Sequence, residues 1–274
     1  MKKRRYAIVT AAIIFALLII IYPAIGGIVS QGLQKERIEI KAGEEGGVKI
    51  TMAHISDLHI PKNGVTLEKL RESIEQINPD MIFLTGDIID SSANESDINK
   101  LRPFLSFISQ KASCFAVSGN HEKINPYYHK LKELYAKNNI KFLDGQASAA
   151  TCKGKSLTIV GISDNGRYDT NETQGLSLAH EPIILLAHRP EYWKEYIGGS
   201  RPPLLTLSGH AHGGQFKLFG IGIYSPNQGF FPKYYDGLYA CGDKYMAVSR
   251  GLGNSIFPLR LYNRYHLPVI ELYI

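Results

Sequence analysis

Seven side chains that can bind a divalent cation, Asp57, His59, Asp87, Asn120, His188, His210 and His212, fall just after apolar runs in this 274-residue chain. Asp57-Leu58-His59 follows residues 48–56, Gly86-Asp87 follows 81–85, and Gly119-Asn120-His121 follows 113–118. His188 follows 183–187, and Gly209-His210-Ala211-His212 follows 204–207. Imidazole and carboxylate together suit Mn, Fe or Zn, whereas an all-oxygen set suits Mg or Ca. A carboxylate between two ligand subsets can bridge two ions, and Asp87 is placed for that. Two ions ~3.5–4 Å apart activate a water and clamp a phosphoryl group for in-line displacement. Alone, an Asp-x-His or a Gly-Asp is ordinarily a turn or a cap. The ordered conjunction at successive run ends is what points to a binuclear centre with two divalent ions.

The apolar runs predict strands, and the segments between them carry helical periodicity. Leu67, Leu70, Ile74 and Ile77 recur at helical spacing, so a helix over 66–78 is expected, stopped by Pro79. Further helices are expected near 97–109, where Pro103 sets a later start, and near 127–138. The second half reads mainly as strand, at 157–162, 183–187, 204–207, 217–218, 238–241, 245–249 and 269–273. Strands alternating with helices, then strands predominating, indicate an α/β fold of stacked mixed sheets with helices outside. Ligands in such folds bind beyond the carboxyl ends of the strands, where these seven residues converge.

The net charge of +6 sits largely in one place. Residues 1–30 contain Lys2, Lys3, Arg4 and Arg5 and no acid, leaving the rest of the chain at +2. A body so weakly charged lacks the basic stripe of phosphate-backbone binders, and no nucleic-acid partner is expected. Residues 7–25 carry no charge, long enough for one transmembrane helix. The cations before it would stay cytoplasmic, making a single-pass cell-membrane protein with an extracytoplasmic body. A cleaved signal peptide ending near Ala24-Ile25-Gly26 is the competing reading. The chain thus divides into an anchor over 1–30, a tether over 31–47 with a short strand at 38–40, and a body over 48–274. Cys114, Cys152 and Cys241 form no disulfide framework.

The motifs Asp57-x-His59, Gly86-Asp87-x-x-Asp90, Gly119-Asn120-His121-Glu122, His188 and Gly209-His210-Ala211-His212 resemble the signature of the calcineurin-like metallophosphoesterases. The resemblance covers about 48–274. It is nearest the bacterial branch with an N-terminal membrane segment, similar to enzymes related to UDP-diacylglucosamine pyrophosphohydrolases. Gly213-Gly214-Gln215 and Ser249-Arg250-Gly251-Leu252-Gly253 look like that branch too. Ala211 stands where Thr is commoner, and Tyr265-His266-Leu267-Pro268 where a Pro-Glu pair is usual. The resemblance implies a four-layer αββα sandwich with one ion on Asp57, His59 and His212. The second ion falls to Asn120, His188 and His210, with Asp87 bridging. His121 becomes the proton donor to the leaving oxygen, oriented by Asp90. The implied reaction is hydrolysis of a phosphomonoester, phosphodiester or pyrophosphate by a metal-bridging hydroxide, on an envelope lipid or cell-wall precursor.

Other residues are read more plainly. His54, His129, His180 and His266 match no motif and are expected to be structural or on the surface. Arg189, beside His188, is a candidate phosphate contact. The aromatics between Phe219 and Tyr239 pack as a loop or form a lid that meets a lipid. The alternative from another class is a metal-binding, membrane-tethered module without catalysis. An amidohydrolase-type enzyme would place His-x-His at the first strand, whereas here it comes late.

Overall fold

The computed structural model describes residues 24–43, 47–164, 181–254 and 259–274. Two six-stranded mixed sheets face each other. The first sheet takes β1 (Leu33–Lys41), β2 (Lys49–Ile55), β3 (Met81–Thr85), β4 (Ser113–Val117) and β5 (Lys141–Phe142) from the first half. The second takes β6 (Gln146–Cys152), β7 (Lys155–Gly161), β8 (Ile183–Leu186) and β9 (Leu205–Ser208). Four two-residue strands follow, β10 (Lys217–Leu218), β11 (Ile221–Gly222), β12 (Tyr224–Ser225) and β13 (Gly229–Phe230), paired as two small hairpins. Then β14 (Gly237–Cys241) and β15 (Lys244–Val248) complete the second sheet, and β16 (Tyr265–Tyr273) returns to the first. The strand orders are β1-β16-β2-β3-β4-β5 and β14-β15-β9-β8-β7-β6.

Strand alternation explains why the apolar runs are unbroken. In β3, Met81 and Phe83 point between the sheets while Ile82 and Leu84 point to the helices, so both faces are apolar. The core between the sheets joins Ile50, Met52, Phe83 and Phe115 to Leu157, Ile184, Leu186 and Leu207. On the outer face of the first sheet lie α1 (Leu67–Ile77), α2 (Glu95–Asn99), α3 (Arg102–Lys111), α4 (Asn120–Ile124) and α5 (Tyr128–Lys137). Helix α1 is capped by Thr66, whose hydroxyl accepts from the Lys69 amide, and it buries Leu70 and Ile74. Among the described residues the outer face of the second sheet carries α6 (Trp193–Ile197), with Trp193 and Tyr196 packed beside Tyr234.

Two expectations about the N-terminus change. Among the described residues no helix is long and apolar enough to cross a membrane, which overturns the single-pass, extracytoplasmic placement. Most of the 7–25 run, residues 7–23, lies outside the described residues. Inside the expected tether, β1 runs nine residues and pairs in parallel with β16 over its whole length. Its polar alternation hid it, because only Ile38 and Ile40 of this edge strand are fully buried.

Charged contacts fasten that edge. Glu36 accepts from Arg250 Nη1 at 3.2 Å and lies 3.3 Å from His266 Nε2. The close His266 imidazole, helped by the charge of Arg250, lowers the Glu36 carboxyl from 4.5 to about 2. A carboxyl held below its unfolded value adds stability above about 4.5 and loses it as pH falls through about 2. Glu36→Gln should therefore lower stability at neutral pH and flatten its decline across that acid window, read by urea unfolding at stepped pH.

Candidate metal centre

The carboxyl ends of β2, β3, β4, β8 and β9 meet at one edge of the sandwich, and all seven candidate ligands stand there. Asp57, His59, Asp87, His188, His210 and His212 are buried. Asp57, His59 and His212 offer ligand atoms within 4.8 Å of one another, and so do Asp87, His188 and His210. A third such group is His59, Asp87 and His121. Asn120 joins the second group through Oδ1, 3.3 Å from His188 Nε2. The Asp87 carboxylate lies between the groups. Its Oδ2 is 3.3 Å from His188 Nε2 and 3.7 Å from His59 Nε2, while its Oδ1 accepts from the His121 amide at 2.8 Å.

The backbone is bent to aim these side chains. Asp57 (φ 49°), His59 (51°), Asp87 (52°), His210 (65°) and His212 (47°) all adopt left-handed conformations. Such conformations cost on the order of 1–3 kcal/mol each in non-glycine residues and persist only where surrounding structure enforces them. Here hydrogen bonds across the strand ends enforce them. The Asp57 amide donates to Gly86 O, the His59 amide to Asp87 O, and the His210 amide to Asp57 Oδ1 at 3.0 Å. Gly209 is required by close approach, since a Cβ there would overlap Ser56 Oγ and Asp57 Oδ2. Gly209→Ala should then destabilise the fold by about 1–3 kcal/mol and weaken divalent-metal binding in parallel, read by urea unfolding and metal titration.

The donor set fits a pair of cations. His59 Nδ1 and Nε2 and His210 Nε2 are buried without a hydrogen-bond partner in the structure, an arrangement costly unless a cation takes them. Burial raises the Asp57 carboxyl, and the nearby Asp87 charge raises it further, so the centre calls for positive charge. Burial pulls the His188 imidazole down, but the charge of Asp87 and their hydrogen bond outweigh it and push the ring up to about 10. The His188 ring is also oriented from behind, with Nδ1 2.7 Å from Thr85 O, which turns Nε2 toward the centre.

The residues expected around the ligands are distributed less simply. His121 stands at the rim, more exposed than the six buried ligands, and its Nδ1 accepts from the Ser91 amide at 3.1 Å. Asp90 Oδ2 lies 3.4 Å from His121 Nδ1 and 3.6 Å from His59 Nδ1, so it faces both rings rather than His121 alone. Arg189, the candidate phosphate contact, is held in an ion pair. Its Nε and Nη2 donate to the two carboxylate oxygens of Asp164 at 2.8 and 3.0 Å. His54 is buried with Nε2 2.7 Å from Thr85 Oγ1, and His266 is buried beside Glu36, whereas His180 lies outside the described residues.

Sequence reasoning missed two supports. Glu122 is fully buried and accepts backbone N–H groups from Asp87, Gly119 and Ile89 at 2.8, 2.8 and 3.0 Å. Its place in the Gly119-Asn120-His121-Glu122 motif was the available signal. Arg260 is buried behind His212, with Nη2 3.4 Å from His212 Nδ1 and donating to Gly253 O at 2.6 Å. Nothing in the local sequence marks it.

The profile of the calcineurin-like phosphoesterases matches residues 50–214, which hold every one of these candidate ligands. The chain belongs to that family. This calcineurin-like phosphoesterase is 29% identical to metallophosphoesterase YkuE of Bacillus subtilis over 232 residues, covering 82% of this chain and 78% of YkuE. It is 30% identical to phosphodiesterase YaeI of Escherichia coli over 227 residues, 80% of each chain. A 5'-nucleotidase precursor of Thermus thermophilus aligns with 83% of the chain and 55% of its own length, at 14% identity and a TM-score of 0.49. As a calcineurin-like phosphoesterase the protein is a metal-dependent hydrolase of phosphoric esters.

Proposed function

We propose that the chain hydrolyses phosphodiesters at a binuclear centre, with Asp57, His59 and His212 on one ion and Asn120, His188 and His210 on the other. Asp87 is shared. The observation that carries this reading is the Asp87 carboxylate, whose Oδ2 lies within 3.7 Å of a histidine from each group. When bound, two ions of the Mn, Fe or Zn type supply Lewis acidity to the phosphoryl oxygens and lower the pKa of the attacking water. The chain's own residues do the rest. Asp87 and Glu122 fix the spacing of the two ligand groups, and Thr85 O fixes the His188 ring. His121, at the rim, reaches the substrate side. With Nδ1 accepting from Ser91, its neutral ring carries the proton on Nε2, and burial holds its pKa below the ordinary histidine range. It therefore stabilises the leaving oxygen by a hydrogen bond more than by complete proton transfer.

The phosphodiester preference is supported by the name of the relative YaeI. A lipid-linked or cell-wall phosphoester as physiological substrate is supported by the apolar side chains exposed beside the centre, Phe230 and Phe231 among them. The test is turnover of bis(p-nitrophenyl) phosphate and p-nitrophenyl phosphate by protein stripped with chelator and reloaded with Mn, Fe or Zn. Metal-dependent turnover favouring the diester is expected. No turnover of either ester with any metal would support the non-catalytic metal-binding module instead.

A further inference from the structure

The segment leading away from His212 exposes apolar side chains that the core does not claim. Leu218, Ile221, Tyr224, Phe230 and Phe231 on the hairpins β10–β11 and β12–β13 are between 44% and 73% exposed. Within them Leu218 pairs with Ile221 and the Tyr224 and Phe230 rings lie 5.6 Å apart, and exposed apolar groups gathered on linked hairpins ordinarily mark an interaction site.

These hairpins are braced. The Ile223 amide donates to Gly214 O at 3.1 Å and to Phe216 O at 2.9 Å, and the Phe231 amide donates to Ile223 O at 2.8 Å. Gln228 closes the far end, accepting from the Lys233 and Tyr234 amides at 3.1 and 3.0 Å and donating to Tyr234 O at 2.6 Å. Tyr234 is buried on the inner side against Trp193, at 5.7 Å between ring centroids. The outer phenyls are thus presented by a fixed frame. Two hydrogen-bonded spacings separate the Phe231 backbone from Gly214, roughly 10 Å in all, and Gly214 follows the candidate ligand His212 by two residues.

Charge narrows the occupant. Residues 216–235 contain Lys217 and Lys233 and no acidic residue. Lys217 is paired with Asp236, and Lys233, two residues after Phe231, has its ammonium 4.9 Å from the Tyr234 ring centroid. An apolar strip with a lysine near it, and at its root a centre that would take a phosphate once its two cations are bound, complements a molecule with an anionic head and a hydrocarbon tail. We propose that the β10–β13 hairpins are the docking surface for the hydrocarbon chain of an amphiphilic phosphodiester whose phosphate lies at the Asp87 centre. This rests on the phosphodiester reading above and adds to it the element that selects the tail.

The test compares chain lengths. Dodecyl and ethyl p-nitrophenyl phosphate, kept below micelle-forming concentrations, serve as substrates. Dodecylphosphonate and ethylphosphonate serve as non-hydrolysed ligands in calorimetry. Wild-type protein should favour the dodecyl compound on the order of tenfold or more in kcat/KM and in Kd. Phe230→Ser/Phe231→Ser, and independently Ile221→Ser, should erase most of that preference while keeping the thermal midpoint, because all three side chains are exposed. Chain-length indifference in the wild type, or a preference untouched in both variants, would overturn the proposal. So would light scattering that shows a wild-type dimer dissociated by the variants with chain preference unchanged, which makes the strip a self-association surface. If neither diester turns over but dodecylphosphonate binds in a Phe230- and Phe231-dependent way, the hydrolytic reading fails and the docking surface stands.

Discussion

Asp87→Asn should lower kcat/KM for a phosphodiester on the order of 10³-fold or more, with bound metal falling from two ions toward one. The substitution keeps the side chain's volume and the Oδ1 acceptor for the His121 amide, so the strand end need not move. What it removes is negative charge at Oδ2, the atom facing His188 and His59 together. Burial would raise the Asp87 carboxyl, but the charges of His188 and His59 hold it well below the usual carboxylate range. It is thus an anion placed where two cations are to be held, and a neutral amide cannot serve both. Metal content by atomic emission and the metal-induced rise in thermal midpoint give readouts independent of turnover. A variant that still binds two ions and loses less than tenfold in activity would rule Asp87 out as the shared ligand.

Much of this centre was legible in the sequence for a specific reason. Strands buried on both faces, such as Met81–Thr85 and Ile183–Leu186, leave unbroken apolar runs, and each run ends in a residue whose chemistry differs sharply from the run. The position of Asp87 or His188 at a strand end could therefore be read without knowing the topology. The left-handed backbone at five of the ligands could not, because it is imposed by neighbours from other strands. The ion pair of Arg189 was hidden for a related reason. Its partner Asp164 is 25 residues away, and only the fold brings the two into a bidentate pair. The edge strand β1 was shortened in the reading since half of its side chains face solvent, and periodicity records burial rather than hydrogen bonding. The apolar run at 7–25 shows the converse limit. Composition alone suggested a spanning helix; no helix among the described residues is long and apolar enough to cross a membrane, and 7–23 lie outside them.

Glu122 is where the site's geometry and the stability of the fold meet, and its replacement carries the second large effect. The carboxylate spans two ligand loops, taking the Asp87 and Ile89 amides from one and the Gly119 amide from the other. Burial and the charge of Asp87 push it up to about 7, against the pull of the backbone N–H groups of Ile89 and Gly119 that bond the anion. Glu122→Ala leaves three buried donors without acceptors, at about 1–3 kcal/mol each, so a loss of roughly 3 kcal/mol or more is expected. Glu122→Gln should lose less, about 1–3 kcal/mol, because the amide oxygen can take the place of Oε2 and still accept from the Asp87 and Gly119 amides. Its amide nitrogen must face at least one of the same backbone N–H groups, and two donors cannot bond each other. Urea unfolding of the metal-free variants should therefore show the larger loss for Ala and a smaller one for Gln, which strands only the Ile89 amide. Metal titration separates positioning from bulk stability. If Glu122 sets the separation of Asp87 and Asn120, affinity for the divalent ions falls about 10–100-fold at temperatures where the variant is still folded. Unchanged affinity in a folded, destabilised variant would confine Glu122 to holding the loops together and leave the ligand spacing to the strands.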